Sequence, residues 1–203
     1  MFFGRNFTKP VNNLNFPVKL YTFTDIIEQN LEYTLNLIST LEDPAVKYKN
    51  EDSPPPAKLA KLETDIKNDI LNYPPGEIVR IITFTALMES VYNSTNEIKD
   101  YIKEAVKYPP VDFDLSEVAI KISGIAKKAI DGFFTGNTTL CLHEEITATE
   151  QLINAALRRL HKLNGKENRG KGRIVYYSCV ITVLKEILEK TSSLRLVYVP
   201  TSA

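Results

Sequence analysis

The sequence predicts an all-α protein, because apolar residues recur at helical spacing in six successive segments that proline and glycine residues separate. No segment makes a convincing strand, and only the last few residues, LRLVYV, give a weak case for one. The chain has 203 residues, and 43% of them are apolar, which is enough for a packed core. We therefore expect six long helices.

Three of these helices are predicted in the first half of the chain. The first carries apolar residues at helical spacing from Thr24 and ends at Asp43-Pro44, and a proline-rich loop follows over residues 43–57. The second helix ends at Tyr73-Pro74-Pro75-Gly76. The third, over residues 77–108, is the longest. Its first half, EIVRIITFTALM, is apolar nearly all round, as expected for a central helix buried on more than one side.

A second set of three helices is predicted after Pro109-Pro110. Asp114, with Glu117 three residues later, resembles a capping box at the start of the fourth helix, which should end near Gly136. Gly165 separates the fifth helix from the sixth.

Two runs of three helices suggest an internal structural repeat. The predicted units are residues 1–108, which include an N-terminal extension, and residues 109–203, and together they form one compact domain. The predicted core contains the following stripe residues: Leu62, Ile66, Val91, Ile98, Ile122, Ile125, Ile153 and Leu184.

Composition excludes several classes of protein. The 25 basic and 25 acidic residues cancel, so no global positive field favours a nucleic-acid partner. Cys141 and Cys179 are too few for a disulfide framework, which indicates a reducing compartment. The N-terminal residues lack the apolar core of a signal peptide, and no stretch approaches the roughly 20 apolar residues of a membrane span. We predict a cytoplasmic protein without a membrane span.

The sequence lacks the usual signatures of enzymes, including a phosphate-binding loop, a nucleophile elbow and a dinucleotide fingerprint. His143 is followed by Glu144 without the second histidine of a zinc-protease motif. His143 and His161 would lie about 27 Å apart on one helix, too far to share a metal ion. We therefore predict no catalytic residues and no enzymatic activity.

The segment KLETDIKNDI, residues 61–70, raises the question of a metal site. Asp65 and Asp69 lie on adjacent turns of the second helix, where both carboxylates can reach one hard cation. The same spacing is typical of the solvated face of an amphipathic helix, and this alternative stays open.

The whole pattern resembles the PhoU-like proteins, in particular the divergent branch associated with Pit-type phosphate transporters. The resemblance is carried by the opening MFFGR, an L-E-x-[DE] helix, a long third helix with acids four apart, and the second trio. It covers nearly the whole chain. It implies two three-helix bundles side by side, cytoplasmic control of phosphate uptake without catalysis, and [DE]-x-x-x-D patterns that can bind metal ions.

The metal-binding patterns of that family are incomplete in this chain. Glu63 is followed four residues later by Lys67, and Glu89 is followed by Asn93, so the site loses negative charge that a multinuclear cluster needs. The second trio keeps no acid pair at this spacing, and we expect it to bind no metal. The expected cofactor is therefore at most one weakly bound divalent cation, with these candidate ligands: Glu63, Asp65, Asp69 and Glu89.

The implied partner is a phosphate transporter or a signalling protein at the cytoplasmic face of the membrane. Long helices with apolar flanks also favour a homo-oligomer. Two alternatives remain open from the sequence. One is a generic helical adaptor unrelated to phosphate, because helical bundles host many roles. The other is a metal-dependent helical hydrolase that uses the four acidic residues named above.

Overall fold

The computed structural model describes residues 16–40, 56–135, 142–165 and 170–194, and residue 197. These residues form six α-helices, and within them no strand occurs, which confirms the all-α class. The helices are α1 (Phe16–Thr40), α2 (Pro56–Asp69), α3 (Pro75–Ala105), α4 (Ser116–Thr135), α5 (His143–Asn164) and α6 (Lys171–Leu194). A 3-10 turn, Ile70–Asn72, follows α2. None of the helices in these ranges is both long and apolar enough to cross a membrane.

Helix α1 begins eight residues earlier than predicted, so the predicted start at Thr24 is wrong. Pro17 is the second residue of the helix, where its missing N–H group costs no intrahelical hydrogen bond. Phe16, Leu20 and Phe23 are buried and continue the apolar stripe towards the N-terminus. The burial of these three side chains stabilises the helix before Thr24, which the sequence pattern had not predicted.

Four helices surround the core. Helix α3 packs against α1 on one side and against α6 on the other, and α4 contacts both α1 and α6, so the four helices form a closed ring. Helices α3 and α6 are antiparallel, because Lys190 Nζ donates to Ser94 Oγ at 2.7 Å while the rings of Tyr108 and Tyr176 lie 5.8 Å apart. The α3–α6 contact is the most extensive of the described part of the molecule.

Helices α2 and α5 lie outside this ring. Helix α5 packs against α4 and α6, and α2 packs against α1. Two contacts attach the C-terminal end of α2 to the start of α1. Lys19 Nζ donates to Asp69 Oδ2 at 2.6 Å, and the rings of Phe16 and Tyr73 lie 4.8 Å apart. The division into residues 1–108 and 109–203 stays a prediction.

The core agrees with the predicted stripes. All the predicted core residues are buried except Leu62, which is half-buried and packs against the core. Asp114 lies just before α4, and its Oδ1 accepts the backbone N–H of Ser116 at 2.7 Å and the Ser116 hydroxyl at 2.6 Å, whereas the capping contact of Glu117 stays a prediction. The hydrogen bonds from the hydroxyl and the backbone N–H of Ser116 hold the pKa of Asp114 below its usual value. Periodicity thus located the buried helix faces correctly.

Replacing Ile122 by Ala should lower the free energy of unfolding by about 2 to 5 kcal/mol, because the side chain is fully buried and its removal leaves a cavity. Ile120 lies on the same helix and is 69% exposed. Ile120→Ala should therefore change stability by no more than about 0.5 kcal/mol. Urea titration of both variants measures the difference, and equal effects would contradict the assigned core face.

Candidate functional site

Two of the predicted metal ligands are engaged by lysine side chains. The carboxylate of Asp69 accepts the hydrogen bond from Lys19, and Glu63 forms an ion pair with Lys67 one turn away. Each lysine already supplies a positive charge beside the carboxylate. A cation must therefore compete with an ammonium group for both acids.

The structure brings the remaining candidates near these pairs without forming a cluster. Glu89 is half-buried on α3, and its negative charge contributes to a raised pKa of Lys67, whose main cause is the hydrogen bond to Glu63. Asp65 is half-buried one turn before Asp69. Among the described residues, no group of three or more acidic, histidine or cysteine side chains is placed to hold a metal ion. The weak cation site stays a prediction.

Titration with Mg²⁺, Ca²⁺ or Mn²⁺ should detect one ion that binds with about millimolar affinity or weaker, or none. An Asp65→Asn, Asp69→Asn double variant should lose any such binding, because it removes the acid pair that keeps the four-residue spacing. Isothermal calorimetry and elemental analysis measure this. Stoichiometric iron or zinc after purification, or metal retained by the double variant, would show that the ligands lie elsewhere.

A buried polar network, which the sequence analysis missed, connects α1 and α3. Lys99 is only 5% exposed, and its ammonium group donates a hydrogen bond to Asn30 Oδ1. Asn30 Nδ2 in turn donates to Thr95 Oγ1 at 2.6 Å. The ammonium nitrogen of Lys99 also lies 5.2 Å from the centre of the Tyr33 ring, within range of a cation–π interaction.

Burial, together with the neighbouring positive charge of Lys103, lowers the pKa of Lys99 to about 8, and the negative charge of Asp100 opposes this shift. Lys99 is therefore an ionisable group that titrates inside the helix bundle. Two signals in the sequence were available. Asn30 and Lys99 both fall within the apolar stripes of their helices, at positions where a polar residue requires a buried partner.

An acidic groove, also missed, lies between α1 and α4. Its volume is about 290 Å³, and Asp25, Glu28 and Glu32 line it from α1, opposite Ser123 and Lys127 of α4. Burial raises the pKa of Glu28, and so do the charges of neighbouring acids, in part offset by Lys127. The groove therefore repels anions and attracts cationic groups. The spacing of the acids along α1 was visible in the sequence, but which helix would face them was not.

Comparisons with known proteins add no relative. No protein-family model matches the chain, and neither a curated protein nor a solved structure matches it. The resemblance to the PhoU-like proteins stays a prediction from the sequence.

Proposed function

We propose that this protein is a PhoU-like accessory or regulatory protein that acts in phosphate uptake by binding a transporter or its signalling partner. The observation that carries the proposal is the placement of the two trios. The corresponding helices α1 and α4 are neighbours, as are α3 and α6, while α2 and α5 both lie outside the ring. In the second trio each helix contacts the other two, and in the first trio α1 contacts both α2 and α3, which supports the paired three-helix units that the resemblance implies.

A binding role also needs a surface that a partner can cover. Leu71 is 74% exposed, Val79 65% and Ile82 43%, and we call these three residues the apolar face. Val79 and Ile82 lie on adjacent turns of α3, and Leu71 belongs to the 3-10 turn just before that helix. Covering such side chains is favourable by about 25 cal/mol per Å² of apolar surface. We propose that the apolar face contacts the partner.

Deletion of the gene should alter phosphate uptake or phosphate-responsive expression. Wild-type protein should restore the normal response, whereas a Val79→Asp, Ile82→Asp double variant should not, because each carboxylate would have to lose its hydration on binding. Ile120→Asp is the matched control, since Ile120 is 69% exposed and lies on α4, whereas Val79 and Ile82 lie on α3. The control should restore function and recover the same partner in pull-downs.

The two alternatives predict different results. Unchanged uptake at both low and high phosphate, with a pull-down that recovers only unrelated proteins, would favour the generic helical adaptor. Robust phosphatase or nucleotidase turnover that disappears when Asp65 and Glu89 are replaced would favour the metal-dependent hydrolase. We expect purified protein to show no such turnover.

A further inference from the structure

Helix α5 presents an outward surface that its neighbours α4 and α6 do not cover. A groove on this side is lined, within the described residues, by α5 alone: Gln151, Asn154, Leu157, Arg158, His161 and Lys162. Glu144 and Glu150 extend the same side towards the start of the helix, and both are exposed. We call these eight residues the α5 outer face.

Charge is divided along the α5 outer face. Glu144 and Glu150 occupy its first half, and Arg158 and Lys162 occupy its second half. In the described part of the chain, none of these four groups has an ion-pair partner, whereas the neighbouring Glu145 pairs with Lys128 of α4 at 2.6 Å. Arg158 and Lys162 are one turn apart and repel each other, so an incoming carboxylate would relieve that repulsion.

The order of these charges is self-complementary. The midpoint between Glu144 and Lys162 along the helix is residue 153, and the midpoint between Glu150 and Arg158 is residue 154. A single two-fold axis beside Asn154 would therefore place Glu144 of one antiparallel α5 opposite Lys162 of another and bring Glu150 to about the level of Arg158. Positions 144 and 162 are separated by five helical turns, so the two side chains lie on the same flank and meet directly across such an axis.

We propose that the α5 outer face binds a second copy of this chain through an antiparallel, two-fold symmetric α5–α5 contact. The interface contains two pairs of Glu144 opposite Lys162, and on either side of the axis Glu150 of one copy lies near Arg158 of the other. The two copies of Asn154 meet at the axis, where a paired amide fixes the register. The proposal is independent of any role in phosphate uptake.

The mixed charge of this surface favours a copy of the chain over other anionic partners. A flat anionic membrane or a nucleic-acid backbone carries one sign of charge throughout, so it would be repelled by Glu144 and Glu150 while it met Arg158 and Lys162. Another α5 in the antiparallel orientation satisfies both halves at once. Leu157, half-buried beside the charged residues, adds an apolar contact near the centre.

The expected dimer is weak and sensitive to salt. One pair of helices buries less than the roughly 1,200 to 2,000 Å² of a standard stable interface, and exposed ion pairs contribute little each. Charge screening reaches about 10 Å at 0.1 M salt and about 30 Å at 0.01 M, so low ionic strength should favour association.

The test is sedimentation velocity of the full chain at low and high ionic strength. Wild-type protein should dimerise at low salt and dissociate as salt is added. Glu144→Lys alone and Lys162→Glu alone should each weaken dimerisation by about tenfold or more, because two attractive contacts become repulsive. An equimolar mixture of the two single variants should form a heterodimer. In the mixed pair, positions 144 and 162 again carry opposite charges at both contacts, and the two approaches of Glu150 to Arg158 are unchanged.

Matched controls separate this contact from general effects of charge. Glu117→Lys replaces an acid in the first turn of α4 and matches Glu144→Lys, and Lys103→Glu replaces a base in the last turn of α3 and matches Lys162→Glu. Neither control should affect dimerisation. Circular dichroism checks that all the variants remain helical. Wild-type protein that stays monomeric at low salt, or a mixture that fails to associate, overturns the proposal. Wild-type protein that binds vesicles of anionic lipid but not itself overturns it in favour of a membrane surface.

Discussion

Replacing Phe84 by Ala should lower the free energy of unfolding by about 3 to 5 kcal/mol. Phe84 on α3 is fully buried, and its ring stacks on Phe133 of α4 with a centroid distance of 3.6 Å. Phe134 approaches the edge of the same ring at 5.7 Å and stacks on Tyr21 of α1 at 4.1 Å. One side chain thus contributes to the packing of three helices, and its loss leaves a cavity that rigid rings cannot fill.

Two further variants test this explanation. Phe84→Leu keeps most of the buried volume and should cost clearly less than Phe84→Ala. Thr83→Ala changes the exposed neighbour on the same helix and should have an effect within about 0.5 kcal/mol. Chemical denaturation measures all three. A cost for Phe84→Ala below that of Phe84→Leu would mean that the aromatic cluster does not stabilise the ring of helices.

The stability of the wild-type protein should rise with pH through the range in which Lys99 titrates. Because the pKa of Lys99 is lowered from 10.5 to about 8, the unfolded chain binds more protons than the folded chain between these two values. Raising the pH through this window therefore favours the folded state. Integrated over the window, the full shift corresponds to about 3 kcal/mol, and solvent near the ammonium group makes the contribution smaller than this.

The matched variant is Lys99→Met, which keeps an unbranched side chain but removes the titrating group. The difference in unfolding free energy between wild type and variant, measured across the window, isolates Lys99 from other groups. Tyr73 and Tyr101 have pKa values raised to about 12 and so destabilise the folded state at high pH, but they do so equally in both proteins. Parallel pH profiles for the two proteins would show that Lys99 keeps its ordinary pKa.

The sequence was sufficient to locate the helices, because an apolar stripe depends only on neighbouring residues along one helix. Ile98 and Ile122 were identified as core positions on this basis, and both are fully buried. The start of α1 was missed because Phe16 and Leu20 belong to its stripe only if Pro17 is accepted within the first turn. Local signals therefore gave each helix its buried face but not always its end.

The sites were harder to predict, because they depend on which helices become neighbours. Asp65 and Asp69 lie four residues apart on α2, but nothing local indicated that α2 would pack on α1 and bring Lys19 to Asp69. The same holds for Asn30 and Lys99, whose side chains form a hydrogen bond although the two residues are sixty-nine positions apart in the sequence. Pairing between distant helices is decided by packing of the whole chain and leaves little trace in any one segment.

The closed ring of helices also bears on how this protein folds. Its most extensive contact joins α3 to α6, and its α1–α4 contact likewise joins the two halves of the chain, so each half alone would expose large apolar surfaces to water. Unfolding should then be a single cooperative transition in spite of the apparent repeat. Two polypeptides made by dividing the chain between Pro109 and Pro110 should each be poorly structured alone. Mixed together, they should recover the helical content of the intact protein at a rate that depends on their concentration.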